Sequence, residues 1–289
     1  MSGQCVIRQY PETRFASGER EQPLASWLAP RQNRILAALP DEDYARLLPC
    51  LEPVALPLGW TMHAAGERQK HLYFLTSGIA ARYYVTENGV SAGCAITGSE
   101  GVIGEELLLG GDSTPSQAVV LHAGYAHRLA ADRLRNECGH GGALAHLLLR
   151  YTLALVAQVG QIAVCNRHHS VEQRLCHWIL SSLDRVRSNQ LTMTHEVLAD
   201  MLGVRRAGVA DAARKLRETG LIQYSRGRIG VLDRSRLEAE VCECYAVVKR
   251  EYERLLPAHQ QVGVASAPRP SARPDWQLAV PSYMSLTTS

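Results

Sequence analysis

No CxxC pair, no phosphate-binding glycine loop and no nucleophile–base–acid spacing occurs in this 289-residue chain. The first absence removes zinc ribbons and dithiol redox pairs. The other two remove the signatures of nucleotide-binding and nucleophilic enzymes, so no enzyme is expected. The N-terminus has no apolar segment followed by a cleavage site, and no secretory leader is expected. The most apolar run is interrupted by Arg150, Gln158 and Gln161, which argues against a membrane span. An excess of one charge is also missing. The formal net charge is +3, too small to reveal a nucleic-acid partner unless the charge is locally placed. The eight cysteines are scattered from Cys5 to Cys244 and read as reduced thiols of a cytoplasmic chain.

What is present is ordinary for a globular protein: 46% hydrophobic and 20% charged residues, with length enough for two cores. Residues 1–30, with Pro11, Pro23 and Pro30, read as a flexible arm. Two short helices follow, from Gln32 to Leu39 and from Tyr44 to Leu48. Between Leu51 and Leu129, Gly66, Gly78, Gly89, Gly101 and Gly111 recur every 10–12 residues, a strand-and-turn spacing that predicts an all-β roll or sandwich. His71 to Leu75, Ser77-Gly78 and Ile79 to Val85 read as a hairpin, with Glu87-Asn88-Gly89 as the next turn. Ala130 to Glu137 reads as a short helix.

A long helical run then extends from Ala143 to His169. Leu144, Leu148, Tyr151, Leu155, Gln158, Ile162 and Cys165 recur at steps of four and three, the pattern of a coiled-coil seam. Leu149, Leu153, Val156 and Val159 form a second apolar face, expected to pack on the β-roll. A helix apolar on two sides needs two partners, so a parallel homodimer through the seam is predicted. Ser170-Val171-Glu172-Gln173 is a capping box that starts a new helix and makes 169–170 a natural hinge.

Thr194 is an N-cap for a short helix with Val197, Leu198, Met201 and Leu202 on one stripe, and Gly203 ends it. A second amphipathic run opens with Arg205-Arg206 and buries Val209, Ala212, Ala213 and Leu216. Ile222 to Leu232 then reads as strand, basic turn and strand. From Leu191 to Arg234 the surplus of basic over acidic residues equals that of the whole chain, +3. A helix that buries one face and leads with arginines suits the major groove of DNA. Arg234 to Leu256 reads as one extra amphipathic helix packed on this domain, and residues 258–289 as a disordered tail.

The run from Thr194 to Leu232, with Val204-Arg205-Arg206, Arg214-Lys215-Leu216 and Gly220-Leu221-Ile222, resembles the winged helix-turn-helix of the Crp/Fnr family of bacterial transcription regulators. Tyr73 to Val85 and Gly101 to Gly111 resemble that family's cyclic-nucleotide-binding β-roll. The resemblance covers roughly residues 31 to 235. It implies an α+β architecture: an N-terminal double-stranded β-roll, jelly-roll-like, over 31–131, a dimerisation helix region over 132–169 and a DNA-binding domain over 170–235; the apolar stripe beyond the wing adds an extra helix over 236–257, outside the resemblance.

The resemblance also implies roles. Arg206 aligns with the family's base-reading arginine, but the usual neighbouring Glu is Ala207 and the Arg one turn later is Asp211, which puts the usual half-site in doubt. Ala207 and Gly208 leave room for a thymine methyl or close backbone approach. Thr194, His195, Arg205, Arg226 and Arg228 suit phosphate contacts. The candidate effector pocket comprises Gly104, Glu105, Ser116 and Gln158. Where cyclic-nucleotide sensors carry a phosphate-binding Arg, this chain has Pro115, and no Arg or Lys lies between Gly101 and His127. A buried phosphodiester needs a paired cation or an N–H nest, so cyclic AMP and GMP are not expected. RNA polymerase and an unidentified small-molecule effector are further candidate partners.

Among metal-ligand candidates, the break at Ser170 is expected to scatter Cys165, His168, His169, Glu172, Cys176 and His177. Cys242 and Cys244, two apart on a helix, are expected to point to different sides. The N-terminal cysteines that hold an iron–sulfur cluster in oxygen-sensing family members are missing. No metal or cofactor is therefore expected. A haem- or metal-dependent redox or gas sensor, with His63, His71 or His122 as haem ligands, is the alternative reading.

Overall fold

The computed structural model describes residues 29–256, apart from 140 and 187. The arm and tail expected at 1–30 and 258–289 lie outside the described residues, except Ala29 and Pro30. Two short helices, α1 (Arg34–Ala37) and α2 (Asp41–Leu47), lead in. Asn33 caps α1 by accepting from the Ile35 and Leu36 amides, while its own amide nitrogen donates to the Leu75 and Gly101 carbonyls. One buried side chain thus closes a helix end and ties it to the β-roll.

Eight strands follow: β1 (Glu52–Leu56), β2 (Thr61–His63), β3 (His71–Leu75), β4 (Ile79–Val85), β5 (Ser91–Thr97), β6 (Val102–Ile103), β7 (Ser116–His122) and β8 (Gly124–Ala130). They form two antiparallel sheets, ordered β1-β8-β3-β6 and β2-β7-β4-β5. This is the expected roll. The expected hairpin around Gly78 is corrected: β3 pairs with β8 and β6, β4 with β5 and β7, so Ser77-Gly78 is a corner between sheets. Gly78 has φ +81°, and a Cβ there would lie 2.6 Å from the His122 carbonyl oxygen; alternation of apolar residues cannot distinguish such a corner from a hairpin. The Gly89 turn does join β4 to β5.

The first five residues of β4, Ile79 to Tyr83, have both faces covered, while Tyr84 and Val85 are exposed. Ala80, with Leu56, Met62, Leu75, Ile103, Ala118 and Val120, fills the space between the sheets. Ile79, Ala81 and Tyr83 point the other way, into a core shared with the C-terminal half. That is the period-two alternation of a strand, with protein on each side.

After α3 (Ala131–Cys138) comes the long helix α4 (Ala143–His168), then α5 (Val171–Leu183) behind the capping box: the Gln173 amide donates to Ser170 Oγ, and the Ser170 amide to Gln173 Oε1. Strand β9 (Gln190–Thr192), α6 (His195–Leu202), α7 (Arg206–Glu218), β10 (Ile222–Ser225) and β11 (Arg228–Val231) complete a winged helix-turn-helix whose sheet is ordered β10-β11-β9. Two helices end the described chain, α8 (Arg234–Glu240) and α9 (Glu243–Leu255).

Two expectations about helices are corrected. The seam Leu144, Leu148, Tyr151, Leu155, Gln158, Ile162 and Cys165 is buried within the chain. The Tyr151 hydroxyl donates to the Val102 carbonyl and meets Thr97 Oγ1, and Gln158 Oε1 accepts from the Tyr252 hydroxyl at 2.9 Å. The face assigned to the β-roll, Leu149, Leu153, Val156 and Val159, is the exposed one. Both faces have helical periodicity, and only the polar anchors Tyr151 and Gln158 separate them. The extra helix is also two: Val241 and Cys242 are extended between α8 and α9, and α9 lies along α4, where Val248, Tyr252 and Leu255 share a core with Leu148 and Tyr151. By length and composition α4 could cross a membrane; its inward face is filled by the roll and α9.

Candidate nucleic-acid interface

The helix-turn-helix is built by local signals. Thr194 Oγ1 accepts from the Val197 amide at 3.3 Å and starts α6. Gly203 stops it with φ +59°, the left-handed geometry that glycine adopts without penalty. The stripe Val197, Leu198, Met201 and Leu202 is buried against Val209, Ala212, Ala213 and Leu216 of α7. Arg174 of α5, itself buried, donates to the Leu202 carbonyl, satisfying the end of α6.

This packing leaves one face of α7 outside. Arg205, its N-cap, and Arg206 and Ala207 are exposed, and Gly208 is half-buried. Further along, Arg214 is bound to Glu218 at 3.0 Å and to Asp211 at 3.7 Å, and Lys215 pairs with Glu172. The first turn of α7 thus presents its two arginines outward, while these later cations are held by carboxylates. The wing contributes two more, exposed Arg226 and Arg228. Its tip is a two-residue turn in which Arg226 and Gly227 have φ +49° and +75°, as hairpin turns of the primed types require.

His195 lies differently from the other sequence candidates. Its ring is 4.6 Å from that of Tyr224, its Nε2 is buried, and burial, then Arg206, holds its pKa below the usual value. It props the wing against α6 as a neutral ring. The Tyr224 hydroxyl donates to the Met193 carbonyl and completes that support, a role the sequence pattern did not single out.

The effector candidates do not converge. Glu105 is buried in an ion pair with Arg82 of β4, and Arg82 also donates to Thr97 Oγ1 at 2.7 Å and the Val102 carbonyl at 3.0 Å. Burial pushes the Glu105 carboxyl up to about 7 against the pull of that guanidinium. Ser116 Oγ meets Thr114 Oγ1, and Gln158 is taken by Tyr252. Gly104 lines a cavity of about 100 Å³ with His63, Arg68, Gln69, Lys70, His71 and Tyr73. Both ring nitrogens of His63 and the amide of Gln69 are buried there without partners. No motif or spacing announced the Arg82 pair, because β4 and Glu105 meet only through sheet topology.

The helix-turn-helix docks on the roll. Met201 of α6 lies over Gly93 of β5, where a Cβ would come within 2.7 Å of its side chain. Arg185, past the end of α5, donates to Glu100 at 2.7 Å.

The geometry agrees with what known proteins share with this chain. Residues 173–240 match the Crp-like helix-turn-helix domain. No curated protein sequence matches the chain. Among solved structures it is similar to FixK2 from Bradyrhizobium japonicum, with 16% identity over 66% of this chain and 98% of that one and a TM-score of 0.58. It is similar to a CRP-family transcriptional regulator from Thermus thermophilus, with 22% identity over 65% and 95% and a TM-score of 0.55. It is also similar to the c-di-GMP-responsive regulator CLP from Xanthomonas campestris, with 15% identity over 67% and 100% and a TM-score of 0.55. Residues 173–240 are thus a Crp-like helix-turn-helix domain, carried on the fold of the Crp/Fnr regulators.

Proposed function

We propose that the protein is a homodimeric, sequence-specific DNA-binding transcription regulator of the cytoplasm, without enzymatic activity. The observation that carries this is the exposed arginine-led first turn of α7 beside a wing that ends in Arg226 and Arg228. Arg206 is assigned to a guanine edge, which a guanidinium meets with two parallel hydrogen bonds. Arg205, Arg226, Arg228 and the Thr194 end of α6 are assigned to phosphate, which positions the domain without reading sequence. The dimer forms through the exposed stripe of Leu149, Leu153 and Val156 on α4, placing two copies of α7 about 34 Å apart on a palindromic site.

The effector is not a cyclic nucleotide in this reading. Buried Arg82 is committed to Glu105, Arg68 beside the Gly104 cavity is paired with Asp112, and that cavity, near 100 Å³, is well below the ~300–1,000 Å³ of small-molecule sites. Selection of bound sites from random DNA tests the proposal. Enrichment of two inverted half-sites one helical turn apart is expected; no enrichment over the input pool refutes it. A second reading, a metal-dependent sensor regulator, is favoured by a thiol–imidazole cluster at the end of α4.

A further inference from the structure

Four side chains that the sequence separates converge where α4 ends. Cys165 is in its last turn and His169 is its C-cap; Cys242 is the N-cap of α9 and Cys244 lies in its first turn. Their ligand atoms, three Sγ and one imidazole nitrogen, all lie within 4.8 Å of one another. Cys165 Sγ is 3.5 Å from Cys242 Sγ, and Cys244 Sγ is 3.4 Å from His169 Nδ1. We propose that Cys165, His169, Cys242 and Cys244 form a tetrahedral Zn²⁺ site that clamps the end of the long helix to the joint between the last two helices.

The distances fit one ion. Bonds of ~2.3 Å to sulfur and ~2.0–2.1 Å to nitrogen at tetrahedral angles put neighbouring ligand atoms ~3.6–3.8 Å apart. A cluster of several irons would spread its thiolates farther, because each binds a different metal. A Cys165–Cys242 disulfide would account for one sulfur pair and not for Cys244 and His169 lying within 4.8 Å of both. Three thiolates and an imidazole suit a soft, tetrahedral cation, and hard cations prefer oxygen.

The surroundings are those of a built site. His169 Nε2, on the far side of the ring from Cys244, lies 3.4 Å from Glu243 Oε2, the carboxylate–imidazole arrangement that fixes the tautomer of a metal-binding histidine. Gln161 Nε2 donates to Cys244 Sγ at 3.1 Å, a hydrogen bond that favours the thiolate. The three cysteines are buried, with Val241 packed against them. Two ligands four apart on α4 and two from the α8–α9 joint give the close pairs from separate elements that structural zinc sites use. The expectation that Cys242 and Cys244 diverge fails because Cys242 is extended, with φ −71° and ψ 161°. The expected scattering at Ser170 fails for Cys165 and His169, which converge, and His177 Nδ1 lies 3.9 Å from Cys165 Sγ; Glu172 and Cys176 lie outside the four.

The clamp spans the 169–170 hinge, joining α4 on one side to the segment that follows the wing on the other. It stands independently of DNA binding, so its test needs no DNA. The full-length protein, purified under reducing conditions without chelator, should contain one zinc per chain. Cobalt added after zinc removal should give the intense visible bands of a tetrahedral thiolate complex. Cys165→Ser combined with Cys242→Ser should abolish both, and Cys176→Ser, also buried but outside the cluster, should keep them. Glu243→Gln is on an exposed side chain and spares the fold; it should weaken zinc affinity by ~10-fold or more. Zinc-free protein that gives no tetrahedral cobalt spectrum overturns the proposal, as does stoichiometric zinc retained in the double variant or a Cys165–Cys242 disulfide in protein kept reduced.

Discussion

Arg185 and Glu100, 85 positions apart, form a buried ion pair, with Nε donating to Oε1 at 2.7 Å, between the C-terminal half and the β-roll. Both side chains are about nine-tenths covered, and Arg185 also donates to the Ser181 carbonyl at 2.8 Å. Glu100 Oε1 and Oε2 in turn accept from the Gly98 amide. The pair is thus satisfied on both sides, and the helix-turn-helix is held to the β-roll by charge as well as by Met201 over Gly93.

Breaking this pair from one side should be costly. Glu100→Gln or Arg185→Ala leaves a buried charge without its partner, a loss of ~3–5 kcal/mol. Chemical denaturation should register that loss. The double change Glu100→Met with Arg185→Met should recover much of it, because apolar groups need no partner. Equal loss in the single and double variants would mean that the pair is not what holds the two halves.

The wing and the first turn of α7 should separate in their effects. Arg206→Ala should cost ~1–3 kcal/mol of discrimination at one base position. Arg226→Gly should weaken all sequences alike and lower the salt dependence by about one counterion. The same change should stabilise the free protein by about 1 kcal/mol, because Arg226 stands at φ +49°, a region costly for residues with a Cβ. Gel shifts across salt concentrations, with melting curves of the free protein, read both. Loss of one-base discrimination by Arg226→Gly would reverse the assignment.

The exposed stripe of α4 gives a cleaner test of assembly than the buried seam. Leu153 is 52% exposed and Val156 61%, so Leu153→Glu should leave the fold intact and yield monomers in sedimentation, with DNA affinity lost by well over tenfold. Leu148, fully buried, should behave oppositely: Leu148→Ala should cost ~2–5 kcal/mol of stability and leave association in place. A dimer that survives Leu153→Glu would move the interface elsewhere.

These contrasts show where sequence reading succeeds. Thr194, Gly203 and the capping box at Ser170 are local signals, each acting within four residues, and each element they bound lies where they place it. The glycine spacing revealed the roll for the same reason. What was not legible depended on distant partners. Which face of α4 turns inward is decided by Thr97, Val102 and Tyr252, far away in sequence. The Arg82–Glu105 pair and the Cys165–Cys242 approach, 77 positions apart, need the sheet order and the break at Val241–Cys242, which no helical period announces.

Acid should loosen the roll through buried neutral imidazoles, and His127 isolates the effect. It is 5% exposed on β8 with Nδ1 unpartnered, and burial alone lowers its pKa from 6.5. Between the lowered native value and 6.5 the unfolded chain binds a proton that the native chain does not. Stability from this residue is therefore full above 6.5 and is lost as pH falls through the native value. His63 and His71 shift the same way, chiefly through burial, while Glu105, raised by burial, loses stability as pH rises and so opposes them in part of the window. The wild-type curve alone mixes these slopes. The unfolding free energy of the wild type minus that of His127→Asn should remove the shared terms and shrink as pH falls below 6.5, by up to ~1.4 kcal/mol per pH unit. A difference that stays flat between about pH 7 and 5 would mean that His127 takes up its proton in the native state as readily as in the unfolded chain.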